Sequence, residues 1–261
     1  MELFSHPETW GALITLTILE IILGIDNIIF ISITAGKLPE NEIKKATNIG
    51  LLLAMVFRIL LLIGVTYLIA MKDALFHLDW SWLKANISGQ SMILFAGGIF
   101  LLYKSTHEIH SKVEGNGPDQ KLTKKKGTSS VLSVIIQIVL IDIVFSFDSV
   151  LTAVGMTNGI HGALVIMIVA VIISILIMMI FARPIGQFVN KHPSIQMLAL
   201  SFLILIGFML VTESAHISHA VVFGQEVGAI PKGYLYFAIT FSLGVEILNM
   251  KMRSKGNKNI G

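Results

Sequence analysis

Seven stretches of this chain are apolar over lengths near the roughly 17–25 residues that a helix needs to cross a bilayer. They fall at residues 10–35, 46–71, 88–103, 131–156, 161–182, 195–212 and 231–249, the third and sixth being the shortest. The pattern predicts an all-α membrane protein of seven transmembrane helices in a single transmembrane domain. The first stretch is not a signal peptide, because no Lys or Arg precedes it and it contains Glu20 and Asp26. One long polar segment, residues 104–130, separates the third run from the fourth. Its "KLTKKKGTSS" reads as a linker facing solvent or lipid headgroups.

The runs repeat. "LEIILGIDNII" in the first sits over "IDIVFSFDSVL" in the fourth at an offset of 122, so that Glu20 falls on Asp142, Gly24 on Ser146, Asp26 on Asp148 and Asn27 on Ser149. "GIFLLYKSTH" in the third sits over "GFMLVTESAH" in the sixth at an offset of 109. The second and fifth share only their hydrophobicity. Three spans per copy is an odd number, so the second copy enters the membrane upside down. That is the inverted-repeat plan of many transporters, with the substrate site near the midplane between the copies. The expected organisation is a first repeat at about 9–107, a cytoplasmic linker at about 108–130, a second repeat at about 131–216 and an extra helix at about 231–249.

Composition agrees with a lipid environment: 54% of residues are hydrophobic, 13% are charged, and the mean hydropathy is +0.81. A soluble domain carries about 25% charge. The net charge of +3 gives no support to a nucleic-acid partner. The absence of cysteine excludes disulfides, thiolate metal sites and thiol catalysis. Fifteen of the nineteen Lys and Arg lie in alternate loops and the C-terminal tail, three lie in the other loops, and Arg58 lies inside a span. Basic loops face the cytoplasm, so the N-terminus is expected outside and the C-terminus inside.

Glu20, Asp26, Asp142 and Asp148 lie deep within apolar runs. An acid at the bilayer centre costs about 3 kcal/mol on insertion scales, so each needs a partner, a proton, water or a cation. At 100° per residue, Glu20, Gly24 and Asn27 share one helix face, and so do Asp142, Ser146 and Ser149. Asp26 and Asp148 are rotated about 120° away, so either they face another helix or the backbone unwinds near Gly24 and Ser146. Ligands that are all oxygen suit hard divalent cations such as Mn²⁺, Mg²⁺ or Ca²⁺. The competing structural role for Asn27, Ser146 and Ser149 is hydrogen-bonded glue between helices; the acids fit that role poorly, because Asn or Gln would fill it at lower cost. Arg58 reads as a counter-ion or snorkelling residue ahead of a substrate contact. Glu246 and Asn249, at i and i+3 on the last run, either add ligands or stand in water at its end. Glu213, His216 and His219 read as residues of an outer loop. The methionines read as apolar filler.

At these motifs the chain resembles the TerC family of integral membrane proteins. "EIILGIDNIIF" and "DIVFSFDSVLTAVG" look like its paired signatures, and "HPSIQMLALSFLILIGFMLV" and "IPKGYLYFAITFSLGVEILN" resemble its C-terminal half. Within the family the chain resembles the compact bacterial members without appended soluble domains, with a longer loop at 214–230. The family takes its name from tellurium resistance and is grouped with lysine-exporter-like transporters, and members are described as manganese exporters. The resemblance implies Mn²⁺ efflux across a bacterial inner membrane. It implies metal binding at Glu20, Asp26, Asn27, Asp142, Asp148 and Ser149, with the metal as transported substrate and no permanently bound cofactor.

The leading expectation is therefore a divalent-cation exporter, in exchange for protons in one version. Its partners would be lipid, the metal and, in one version, further copies of itself. The alternatives are a membrane factor that assists metal loading of secreted proteins, or an exporter of another ion. An intramembrane aspartyl protease is disfavoured. Asp26 follows Leu23, Gly24 and Ile25, not the Gly-x-Gly context of such enzymes, and Glu20 and Asp142 would have no role.

Overall fold

The computed structural model describes residues 7–64, 74–114, 130–157, 160 and 162–258; the side chains of residues 23, 25, 26, 148 and 254–258 lie outside the description. Among the described residues the chain forms α1 (Pro7–Ala35), α2 (Glu40–Ile63), β1 (Ala74–Asp79), β2 (Leu83–Ser88), α3 (Gly89–Val113), α4 (Val131–Met156), α5 (Ala163–Lys191), α6 (Pro193–Ile217), β3 (Val221–Val222), β4 (Gln225–Glu226) and α7 (Lys232–Lys258). Helix dominates because hydrocarbon offers no partner for a free backbone N–H or C=O, and a helix satisfies both internally.

Among the described residues a helix overlaps each of the seven apolar stretches. By length and apolarity alone, α2, α4, α5, α6 and α7 qualify as spans; α1 joins them if its two segments, Pro7–Ile22 and Asn27–Ala35, count as one span bent by 40°. α3 falls short because its apolar stretch is brief, with Gln90 and Ser91 before it and Lys104 and Ser105 after it. The bend in α1 falls where the sequence analysis allowed unwinding. At Ser146 the alternative of an unwound backbone is not the one adopted, as α4 is helical from Val131 to Met156. Serine side chains bond along that helix: the Ser146 hydroxyl donates to Asp142 at 2.9 Å and the Ser149 hydroxyl to the Ser146 carbonyl at 3.3 Å.

Two further expectations need correction. The linker does not begin at residue 108, since α3 continues to Val113; residues 115–129 lie outside the described residues. Nor is the chain purely α-helical. β1 to β4 form one antiparallel sheet in sequential order, and it joins the α2–α3 connection to the α6–α7 connection through Leu83–Val222 and Lys84–Val221. A turn at Phe223 and Gly224, with φ of 50° and 81°, links β3 to β4. Left-handed backbone at both central residues is what a tight hairpin needs.

Packing divides the helices into two groups. α1 packs chiefly on α5, and α2 chiefly on α4, to make a four-helix body; α3 and α6 pack chiefly on each other. Gly98 and Gly207 make that second contact close: a Cβ on Gly98 would lie 2.7 Å from the Gly207 carbonyl oxygen, and one on Gly207 would lie 2.9 Å from the Gly98 carbonyl oxygen. Small residues permit such backbone approach in lipid, where packing and not the hydrophobic effect holds helices together. On α1, Trp10, Ile14, Ile18 and Ile22 form an exposed stripe at helical spacing, while Leu13, Leu16 and Glu20 are buried. The outer stripe is suited to lipid.

Candidate functional site: a buried ionic cluster between α1, α2 and α4

Glu20 and Asn27 come from the buried face of α1, Asp142, Ser146 and Ser149 from that of α4, and Arg58 from the middle of α2; all six are buried. The equal spacing of the two polar stripes lets both face inward together, and the α2–α4 contact brings Arg58 between them. Gly50 makes that contact tight, since a Cβ there would meet Ile138 at 2.8 Å.

Arg58 organises the cluster. Its Nε donates to the Ser146 hydroxyl at 2.8 Å, one terminal nitrogen donates to Asp142 Oδ1 at 2.7 Å, and the other donates to Glu20 Oε2. Asp142 Oδ2 accepts from Ser146 at 2.9 Å, and Oδ1 also accepts from Asn27 Nδ2 at 3.4 Å. One planar guanidinium thus bridges two carboxylates from separate helices, a use that favours Arg over Lys. No donor among the described residues reaches Asn27 Oδ1. A buried acceptor left unpaired costs about 1–3 kcal/mol.

The expected site residues divide as follows. Glu20, Asn27, Asp142 and Ser146 are brought together, and Ser149 stands beside them, bonded to the Ser146 carbonyl. The side chains of Asp26 and Asp148 lie outside the described residues. Arg58 is the counter-ion; with its side chain only 3% exposed it does not snorkel, and a guanidinium has no lone pair for a metal. Glu246 and Asn249 are half-buried on α7, and no hydrogen bond joins them to the cluster among the described residues. Glu213 and His216 end α6, and exposed His219 lies 3.9 Å from Glu226 beside the sheet.

A second polar network, not anticipated from the sequence, lies at the opposite end from the sheet. Lys37, in the α1–α2 turn, pairs with Glu108 of α3, and Lys104 approaches the same carboxylate at 3.3 Å. Lys112 donates to Gln196 of α6, Gln196 to Asn190 of α5 at 3.1 Å, and Asn190 to the Ser32 carbonyl of α1 at 3.5 Å. The signal was available: Glu108 is an acid one helical turn after Lys104, on the face of α3 that buries Leu101 and Ser105. Glu108 lies past the apolar part of α3. Burial alone would raise its pKa, but the hydrogen bond and charge of Lys37, with Lys104 behind them, hold it below the usual carboxylate range.

Comparison with known proteins places the chain in a family. The model of the integral membrane protein TerC family matches residues 5–259. The UPF0053 inner membrane protein YgdQ of Escherichia coli (strain K12) is 45% identical over 253 residues, covering 97% of each chain. A UPF0053 protein of Haemophilus influenzae is 44% identical over 252 residues, covering 97% of this chain and 98% of its own. The E. coli protein YegH is 43% identical over 249 residues, which are 95% of this chain and 43% of that one. No solved structure matches the chain. A family match across nearly the whole chain, on a structure whose helices are long and apolar enough for lipid, makes this an integral membrane protein of the TerC family.

Proposed function

We propose that the chain transports a hard divalent cation, with Mn²⁺ as first candidate, through a site formed where Glu20 and Asn27 of α1 meet Asp142, Ser146 and Ser149 of α4. The observation that carries this reading is the convergence of Glu20 and Asp142, matched residues of the two motifs, beside an unpartnered Asn27 oxygen. Oxygen donors of this kind suit Mn²⁺, Mg²⁺ and Ca²⁺. The preference for Mn²⁺ and the outward direction rest on the family resemblance. Asp26 and Asp148 belong to the same motifs and are further ligands or proton carriers in this account.

The helix contacts fit an inverted repeat, and such a repeat would support a transport role. Exchanging α1 with α4, α2 with α5 and α3 with α6 turns the α1–α5 contact into α4–α2 and leaves α3–α6 unchanged. Gly98 and Gly207, equivalent at the sequence offset of 109, face each other reciprocally, as residues on a twofold axis do. All six buried residues of α2 fall on buried residues of α5 at a single offset of 120, Arg58 falling on Met178. With basic loops cytoplasmic, Lys37 and Glu108 mark the cytoplasmic end and the sheet the outer end.

The second reading is that the cluster only ties helices together, and the near-complete hydrogen bonding around Arg58 favours it. Mn²⁺ uptake into inside-out proteoliposomes separates the two. The transport reading predicts saturable flux that falls at least tenfold in Glu20→Gln and Asp142→Asn while both proteins keep their elution profile and melting transition. A structural cluster predicts no wild-type flux, or flux that survives both substitutions in folded protein.

A further inference from the structure

Arg58 presents a problem for any cation site at this place, because it already holds both carboxylates. The surroundings of the two motifs differ in one respect. Ser146 of α4 receives Nε of Arg58 from α2. Its counterpart, Gly24 of α1, receives Met178 from α5: a Cβ on Gly24 would fall 2.3 Å from the Met178 sulfur. The offset from Arg58 to Met178 is the same 120 that superposes the buried faces of α2 and α5. One half therefore presents a guanidinium where the other presents a neutral thioether.

Charge decides what this asymmetry does. When both are ionised, Glu20 and Asp142 together balance one dication and leave nothing for Arg58. A dication entering between these two carboxylates with the guanidinium in place would set two cations a few ångströms apart in surroundings of low dielectric. A doubly charged ion and a guanidinium repel each other twice as strongly as two unit charges would at the same separation, and low-dielectric surroundings screen that repulsion poorly. The oxygens are also taken: Asp142 Oδ1 accepts from Arg58 and Asn27 together, Asp142 Oδ2 from Ser146, and Glu20 Oε2 from Arg58. Asn27 Oδ1, in the same cluster, stands without a donor among the described residues. Removal of the guanidinium would free Glu20 and Asp142 beside it, and would give three hard oxygen groups from two helices.

We propose that Arg58 is a tethered cation that occupies the cargo's place between Glu20 and Asp142, so that cargo binding and the Arg58 pairing exclude one another. The proposal rests on the cation-transport reading above and deepens it. Arg58 then lowers cargo affinity and completes the cluster's charge when cargo has left, which makes release favourable. Without it the carboxylates would hold their cargo too firmly to turn over.

The test is equilibrium Mn²⁺ binding to the full chain in lipid nanodiscs, for wild type, Arg58→Met and Arg58→Lys. Met is the residue that the second half carries at the corresponding position. The expected result is a Kd at least tenfold lower in Arg58→Met, with a lower maximal flux, and an intermediate Kd in Arg58→Lys. A folded Arg58→Met protein that binds Mn²⁺ no more tightly than wild type overturns the proposal and leaves the transport reading standing. Wild type and variants that bind no Mn²⁺ while folded overturn both. If Arg58→Met does not fold, the wild type decides. The chain has three arginines, Arg58, Arg183 and Arg253, so ¹⁵N-arginine labelling gives three Nε signals. Diamagnetic Mg²⁺, at the concentration at which it displaces Mn²⁺, should move the solvent-protected Arg58 signal; an unmoved signal overturns the proposal.

Discussion

Ser146 carries more of the cluster than its small size suggests. It accepts from Arg58 Nε and donates to Asp142 Oδ2, so it aligns the guanidinium with one carboxylate. Ser146→Ala leaves a buried charged donor without its acceptor and should cost about 1–3 kcal/mol. Ser201→Ala, which removes only an exposed hydroxyl's bond to the Met197 carbonyl, should change stability by less than about 0.5 kcal/mol. Thermal melts in one detergent compare the two. At this scale the sequence was informative about α1 and α4, because helical geometry places Glu20 with Asn27, and Asp142 with Ser146, whatever surrounds them. It could name Arg58 as a counter-ion but not its acceptors. Those depend on how α2 is rotated and shifted against two other helices, and the α2–α5 similarity is too weak in sequence to set that register.

The α3–α6 pair is held by backbone approach at Gly98 and Gly207. Gly98→Ala would place its Cβ 2.7 Å from the Gly207 carbonyl oxygen and 2.8 Å from Val211 Cγ2. Main chain yields little, so the substitution should destabilise by about 1–3 kcal/mol. Gly155→Ala, in the exposed last turn of α4 with nothing within 4 Å of the added methyl, should be neutral or stabilise by less than about 1 kcal/mol, the figure for a helix interior. Melting the pair of variants side by side checks both signs. The helices were legible because apolar runs of this length have no other solution in lipid. The sheet was not. β3 and β4 have only two residues each, and their turn is Phe223–Gly224, outside the usual Asn-Gly signal for a tight hairpin. β1 is largely exposed, so it shows no in-and-out alternation.

Across the whole molecule, the four-helix body and the α3–α6 pair meet at the Lys37 end through charged groups. Lys37 and Lys104 lower the Glu108 pKa in the folded protein. A depressed carboxylate contributes stability above its unfolded pKa, about 4.3, and loses it as pH falls through the lower folded value. Wild type should therefore be more stable than Glu108→Gln at pH 7, with the gap constant down to about pH 5 and closing below about pH 4. Melting both proteins across that range tests it; a gap that widens on acidification would contradict the assignment. The distribution of lysines pointed to two unlike ends, and in the structure Lys37, Glu108, Lys112 and Gln196 cluster at one end while the sheet unites two connections at the other. The grouping of the helices could not be read from sequence, because each helix is apolar on faces that meet lipid as well as on faces that meet protein.

The central claim is that a divalent cation sits between the carboxylates of Glu20 and Asp142. The most direct measurement is anomalous diffraction from crystals of the full chain grown with Mn²⁺ at the concentration that half-saturates flux. The account predicts a manganese peak within coordination distance of Glu20, Asp142 and Asn27, with the Arg58 guanidinium withdrawn from both carboxylates. A peak elsewhere, with Arg58 still paired to Glu20 and Asp142, would contradict it.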